Sequence, residues 1–124
     1  MSAPLQHRSV LAQAAIAGFL IIKHGTVDNS AALATAATDK LIGTNDALGK
    51  DVGEQVDYPT TGTGEVKLGA AVTRGDPITA DASSKGITAA PAAGSNVRII
   101  GFALQSGVLD DVIDYQIAPG VMQG

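Results

Sequence analysis

The sequence predicts a small, mainly β domain: a β-barrel or β-tulip-like body with one short helical turn and an extended N-terminal arm. Two observations carry that reading. From Phe19 onward, Gly, Asn, Asp and Pro recur about every ten residues and separate short stretches rich in Val, Ile, Leu and Thr. The chain has 124 residues, 45% of them hydrophobic, enough to bury roughly two-thirds of the unfolded surface in one core and to make one domain.

Residues 1–18 differ from the rest of the chain. They offer no period-2 alternation, include Pro4 and end in small residues before Gly18. The segment reads as an arm that takes its order from a partner. A short helix N-capped by Ser9, with Leu11 and Ala15 on one face, is the local alternative, marginal because its apolar residues are mostly Ala. Residues 19–120 form the β-rich body, with strands expected at Phe19–His24, Ala32–Ala36, Lys40–Thr44, Glu54–Tyr58, Glu65–Leu68, Pro77–Ala80, Gly86–Ala89, Arg98–Leu104 and Val112–Ile117. One turn of helix is expected at Ala70–Arg74, stopped by Gly75. In Val112–Ile117 the alternation turns Ile113, Tyr115 and Ile117 to the core and leaves Val112, Asp114 and Gln116 outside. Residues 121–124 are a tail.

Two short blocks repeat. Leu41-Ile42-Gly43 followed by Val56-Asp57-Tyr58 is echoed by Ile99-Ile100-Gly101 followed by Ile113-Asp114-Tyr115. The echo suggests two similar hairpins, although matches this short arise by coincidence about as readily as by duplication.

Composition excludes several functions. Eight basic residues against twelve acidic give a formal charge of −4, so there is no surplus with which to bind nucleic-acid phosphates. Cysteine is absent, which removes disulfides and thiolate metal sites. No apolar run reaches the roughly 18 residues of a membrane span. Ala14–Ile22 imitates a signal-peptide core, with Ala32-Leu33-Ala34 as the cleavage site. Lys23, His24 and Asp28 break that pattern, and Phe19–Ile22 reads instead as a buried strand.

Catalytic, cofactor and metal residues are not expected. His7 in the arm and His24 at a strand end would meet only if the arm docked. Asp110 and Asp111 read as a solvated hairpin turn, because no alternating oxygen ligands with a glycine hinge surround them. Thr60–Lys67 has the glycines of a phosphate cradle but no GK[ST] and no helix after it, and Glu65 repels phosphate; it reads as a wide hairpin loop. The hydroxyls lack a G-x-S-x-G elbow and have few histidines to activate them.

The stretch Val66–Ala82, whose strongest piece is Gly69-Ala70-Ala71-Val72-Thr73-Arg74-Gly75-Asp76-Pro77-Ile78-Thr79-Ala80-Asp81, then Lys85-Gly86, Arg98–Leu104 and Asp111–Gly120, resembles the capsid cement or head decoration proteins of tailed bacteriophages. Leu41-Ile42-Gly43 and Asp51–Asp57 fit the same family more loosely. In local terms, Gly75-Asp76 makes a tight turn, Pro77 starts an edge strand, and Asp81 with Gly86 closes the next hairpin. The resemblance implies a non-enzymatic virion protein without cofactor, made in the host bacterial cytoplasm. It implies attachment to the outer capsid surface as a homotrimer that clamps neighbouring subunits of the major capsid protein, with neither nucleic acid nor membrane as partner. Lack of cysteine suits assembly in a reducing cytoplasm.

The arm lies largely outside the matched stretches. By analogy its Pro4, Leu5, His7, Arg8, Val10 and Leu11 are the expected capsid contacts, adding a strand along a neighbour's edge, with His7 and Arg8 facing acidic groups. The competing function is a surface β domain for adhesion or carbohydrate binding. Carbohydrate sites use aromatic platforms, and Phe19, Tyr58, Phe102 and Tyr115 all fall in expected strands, where core burial is the ordinary fate.

Overall fold

The computed structural model describes residues 7–124. Ten strands form: β1 His7–Ala12, β2 Ile21–His24, β3 Ser30–Leu33, β4 Leu41–Thr44, β5 Gln55–Pro59, β6 Thr63–Lys67, β7 Pro77–Ala80, β8 Gly86–Thr88, β9 Asn96–Ala103 and β10 Val112–Gln123. They make two five-stranded sheets, ordered β4-β2-β3-β1-β5 and β6-β10-β9-β7-β8, and neither closes into a barrel among the described residues. The domain is mainly β, as expected.

Each sheet has its own apolar interior. Val10, Ala12, Ile16, Ile22, Ala31, Val56 and Tyr58 fill the first. Val66, Leu68, Val72, Ile78, Ile100, Ile113 and Tyr115 fill the second, joined there by Ile21, Ala34 and Leu41 from the other half. The alternation of β10 holds: Ile113 and Tyr115 are buried, Ile117 packs against them, and Val112 and Gln116 are exposed. Burying a Val or Leu side chain of this kind contributes about 1.5–3 kcal/mol.

The two halves repeat one design. Val10 corresponds to Val66, Ala12 to Leu68, Ile16 to Val72, Ile22 to Ile78, Val56 to Ile113 and Tyr58 to Tyr115, all of them buried. The bridge Ile16↔Lys50 has its counterpart in Val72↔Gly107, and the antiparallel pair β1·β5 in β6·β10. A carboxylate closes the same turn in both. Asp51 N–H donates to Glu54 Oε1 at 2.6 Å, and Val108 N–H to Asp111 Oδ2 at 2.9 Å. Gly43 and Gly101 share an unusual φ, 152° and 155°. The short echo in the sequence is therefore a repeat of structure. Only its second copy is a hairpin, since β9 pairs with β10 whereas β4 and β5 form no ladder.

The halves are joined at a seam. In the first, β1 runs parallel to β3 and Leu11 N–H donates to Asn29 O at 2.8 Å. In the second, the counterpart Lys67 N–H donates to Phe19 O at 3.0 Å, and Ser84 O accepts from Ile21 N–H at 2.7 Å. Backbone from Phe19 to Ile21 thus occupies the gap between β6 and β8, where only the Leu68↔Gly86 bridge remains.

Several expectations are corrected. The segment read as an arm, or as a helix from Ser9, contains β1, an interior strand whose residues His7–Leu11 face Pro59–Gln55 of β5. Distant partners fix it, so local sequence was a poor guide. The helical turn at Ala70–Arg74 is absent; Val72 instead exchanges backbone hydrogen bonds with Gly107. Thr60–Lys67 is a crossing from one sheet to the other, with β6 beginning at Thr63. Pro77 opens an interior strand, tolerable because a first residue need not donate. The expected tail is strand, since β10 absorbs Pro119 in an irregularity between Ile117 and Gly120 and resumes pairing to Gln123. Phe19 lies outside any strand and Phe102 is exposed, so two of the four aromatics are not core strand residues.

Candidate docking surfaces

β1 distributes the expected contact residues to different places. Pro4 and Leu5 lie outside the described residues. Val10 is a core residue, 5% exposed, and is unavailable to a partner, whereas His7, Arg8 and Leu11 are exposed. His7 lines a 240 Å³ cavity with Phe19, Pro59, Asp46, Glu65 and Asp114. Arg8 lines a different one, of 560 Å³, with His24, Asp28, Asn29 and Lys40. The two histidines are therefore in separate cavities, and no group of three or more His, Asp or Glu among the described residues is placed to hold a metal.

The Arg8 cavity continues into a neighbour of 600 Å³ through shared Gly25, Thr26, His24 and Lys40, and Lys23 and Gln13 line the continuation. The β2–β4 pairing explains why the basic groups converge: His24 N–H donates to Lys40 O at 3.1 Å, which sets the ends of the two strands side by side. Arg8 reaches Asn29 Oδ1 at 3.2 Å. Lys23 pairs with Asp39 at 3.5 Å. The Asp39 carboxylate also accepts the N–H groups of Thr35 at 2.9 Å and Ala36 at 3.2 Å. The Thr35 bond first, then Lys23 and Ala36, hold its pKa below the ordinary 3.8 against the opposing effect of burial. Its charge is thus committed to the turn before β4. His24 and Lys40 take no ion pair among the described residues.

One hydroxyl–carboxylate pair invites a catalytic reading and does not support it. Ser9 Oγ donates to Asp57 Oδ1 at 2.5 Å, and Gln55 Nε2 donates to both, at 2.9 and 3.0 Å. Gln55, then Ser9, hold the Asp57 pKa below its usual value, which makes the carboxylate a weaker base, and no imidazole bonds to Ser9. The three side chains tie β1 to β5.

Apolar side chains are displayed at the turns. Leu48 and Val52 before β5, and Val108 and Leu109 before β10, are each more than half exposed. Val52 and Leu109 hold the same place in the repeat, preceding Gly53 and Asp110, both at positive φ. Of the aromatic rings Tyr58 and Tyr115 are buried, Phe19 is half-buried, and Phe102 is 41% exposed, so no aromatic pair forms a sugar platform.

No family model and no curated protein matches the chain. A solved structure does. The chain is similar to the head fiber gp8.5 N base of bacteriophage phi29, with a TM-score of 0.67 and 12% identity over 93% of this chain and 95% of the other. At that identity the likeness is one of fold, and it spans both halves of the repeat. Neither the repeat nor the basic groove is evident as such in the sequence. The echo at Leu41 and Ile99 is the available signal for the first; for the second, Arg8, Lys23 and Lys40 are too far apart in the chain to read as a cluster.

Proposed function

We propose that the chain is a structural protein of a bacteriophage particle, bound to the outside of the head. The observation that carries this reading is the likeness of fold, over nearly the whole chain, to the base of a phage head fiber. The resemblance of Gly69–Asp81 and the later blocks to head decoration proteins supports the same reading independently. The role is non-enzymatic. The protein attaches as a homotrimer and bridges neighbouring subunits of the major capsid protein, so that local opening of the shell must break its contacts too.

A partner that binds only the assembled shell stabilises it by about 2.7 kcal/mol per site when its free concentration is a hundredfold above Kd. Heating native, stripped and re-decorated particles while DNA release is followed with an external dye tests the role. Stripped particles should release first, and added protein should restore resistance. Identical release curves would remove the stabilising role. Particle reconstruction tests the stoichiometry, and isolated monomers each touching one subunit would remove the trimer.

A further inference from the structure

The groove formed by Arg8, Lys23, His24 and Lys40 has no structural explanation. It gathers three of the chain's eight basic residues and one of its two histidines, against the carboxylates of Asp28 and Asp39, around contiguous cavities of 560 and 600 Å³, in a chain with a formal charge of −4. Only Lys23 is satisfied by a carboxylate. Like charges brought together at a surface repel, and this arrangement offsets that cost with few internal bonds.

The repeat supplies an internal control. What the scaffold requires is present in both halves, as the matched core residues and turn carboxylates are. The positions corresponding to Lys23, His24 and Arg8 are Thr79, Ala80 and Gly64, all buried and uncharged, whereas Lys40 corresponds to the basic Arg98. Arg8, Lys23 and His24 are thus peculiar to the first half, so the shared fold does not demand their convergence beside Lys40.

We propose that this groove binds an extended acidic protein segment, its carboxylates meeting Arg8, Lys40 and His24. Within the proposed function, on which this inference rests, the segment belongs to the head shell. Charge selects an anionic occupant, and cavities of this size accept several side chains or a small ligand. The absence of Phe and Tyr rings from the lining favours peptide carboxylates over an acidic sugar chain, which would gain from stacking.

The test uses the full chain and phage heads from which it has been stripped. Arg8→Glu/Lys40→Glu should weaken co-sedimentation with heads by about tenfold or more and flatten its salt dependence. The control Lys67→Glu/Arg74→Glu, on the second half, should bind as the wild type does. Circular dichroism checks folding, and Arg8→Gln/Lys40→Gln replaces the reversed pair if that pair fails to fold. An oligoglutamate peptide should compete with heads for the wild type and show no binding to the groove variant. Equal binding by groove and control variants would overturn the inference and leave the head reading intact. Competition by polygalacturonate but not by oligoglutamate would overturn the peptide assignment. Failure of the wild type to bind heads would overturn the head reading itself, and the shell partner with it.

Discussion

The hydroxyls of Thr44 and Tyr115 meet at 3.0 Å inside the molecule, where the first half of the chain touches the second. Tyr115 is fully buried, and its ring also lies against Gly64, whose missing side chain leaves the space it fills. Burial pushes the Tyr115 pKa up to about 12, the bond with Thr44 opposing only in part.

This pair sets an alkaline limit on stability. A group whose folded pKa is raised contributes fully below its unfolded pKa, about 10 for tyrosine, and loses that contribution as pH rises toward the folded value. Between pH 10 and about 12 the wild type should therefore lose up to about 1.4 kcal/mol per pH unit from this residue. Tyr115→Phe should show a shallower decline over the same window. Urea unfolding across an alkaline series reads the difference; parallel curves for the two proteins would show that Tyr115 ionises as easily folded as unfolded.

Phe19 has a φ of 62°, and Gly75, at the matching turn of the second half, a φ of 95°. A side chain in that region costs about 1–2 kcal/mol, which glycine avoids. Phe19→Gly should accordingly change stability by only about 1 kcal/mol, because relief of the backbone offsets the lost burial of a half-exposed ring. Gly75→Ala should destabilise by about 1 kcal/mol despite open space around it. Thermal unfolding checks both, and a loss of about 3 kcal/mol or more in Phe19→Gly would mean that the ring outweighs the strain.

At Gly101 the limit is contact as well as conformation. A Cβ there would stand 1.8 Å from the Gln116 carbonyl oxygen, on the paired strand. Gly101→Ala should prevent normal pairing of β9 with β10 and cost about 3 kcal/mol or more. Gly120, on the same ribbon, has nothing within 4 Å, and Gly120→Ala should be close to neutral. Comparable melting temperatures for the two variants would contradict this account of the repeat's glycines.

Truncation should separate an arm from a strand. Removing residues 1–12 deletes β1, which lies between β3 and β5 and contributes Val10 and Ala12 to the core. The shortened protein should lose cooperative unfolding and expose apolar surface to a dye such as ANS. A cooperative melt like that of the full chain would restore the view of this segment as an appendage.

Legibility of the fold tracked the distance between a strand and what holds it. Pro77–Ala80 carries its own signals, a turn at Gly75-Asp76 before it and the Asp81 cap after it, whose carboxylate accepts Ser83 and Lys85 N–H groups. Its bounds in the structure are those the sequence predicts. β1 carries no such signals. It contributes only Val10 and Ala12 to the core, leaves Leu11 exposed, and is held by residues Ser30–Ala31 and Gln55–Pro59. The expected last strand ends at Ile117, before Ala118-Pro119-Gly120, and the irregularity in register that lets β10 continue past these residues has no local signature. The basic groove was hidden for the same reason, since β1, β2 and β4 bring its charges together only in three dimensions.

The seam gives the chain a direction. The half that is synthesised first closes its own gap, Leu11 to Asn29, whereas the second half leaves Lys67 N–H and Ser84 O to be met by Phe19 and Ile21. The earlier half can thus pair β1 with β3 before the later one is made, although its Ile21, Ala34 and Leu41 stay uncovered until the second core closes over them, and its Phe19–Ile21 backbone serves as the template against which the later one is finished. Reversing the order of the two halves in a circular permutant would make the dependent half wait for its template, so that transiently unpaired strand edges are exposed during synthesis.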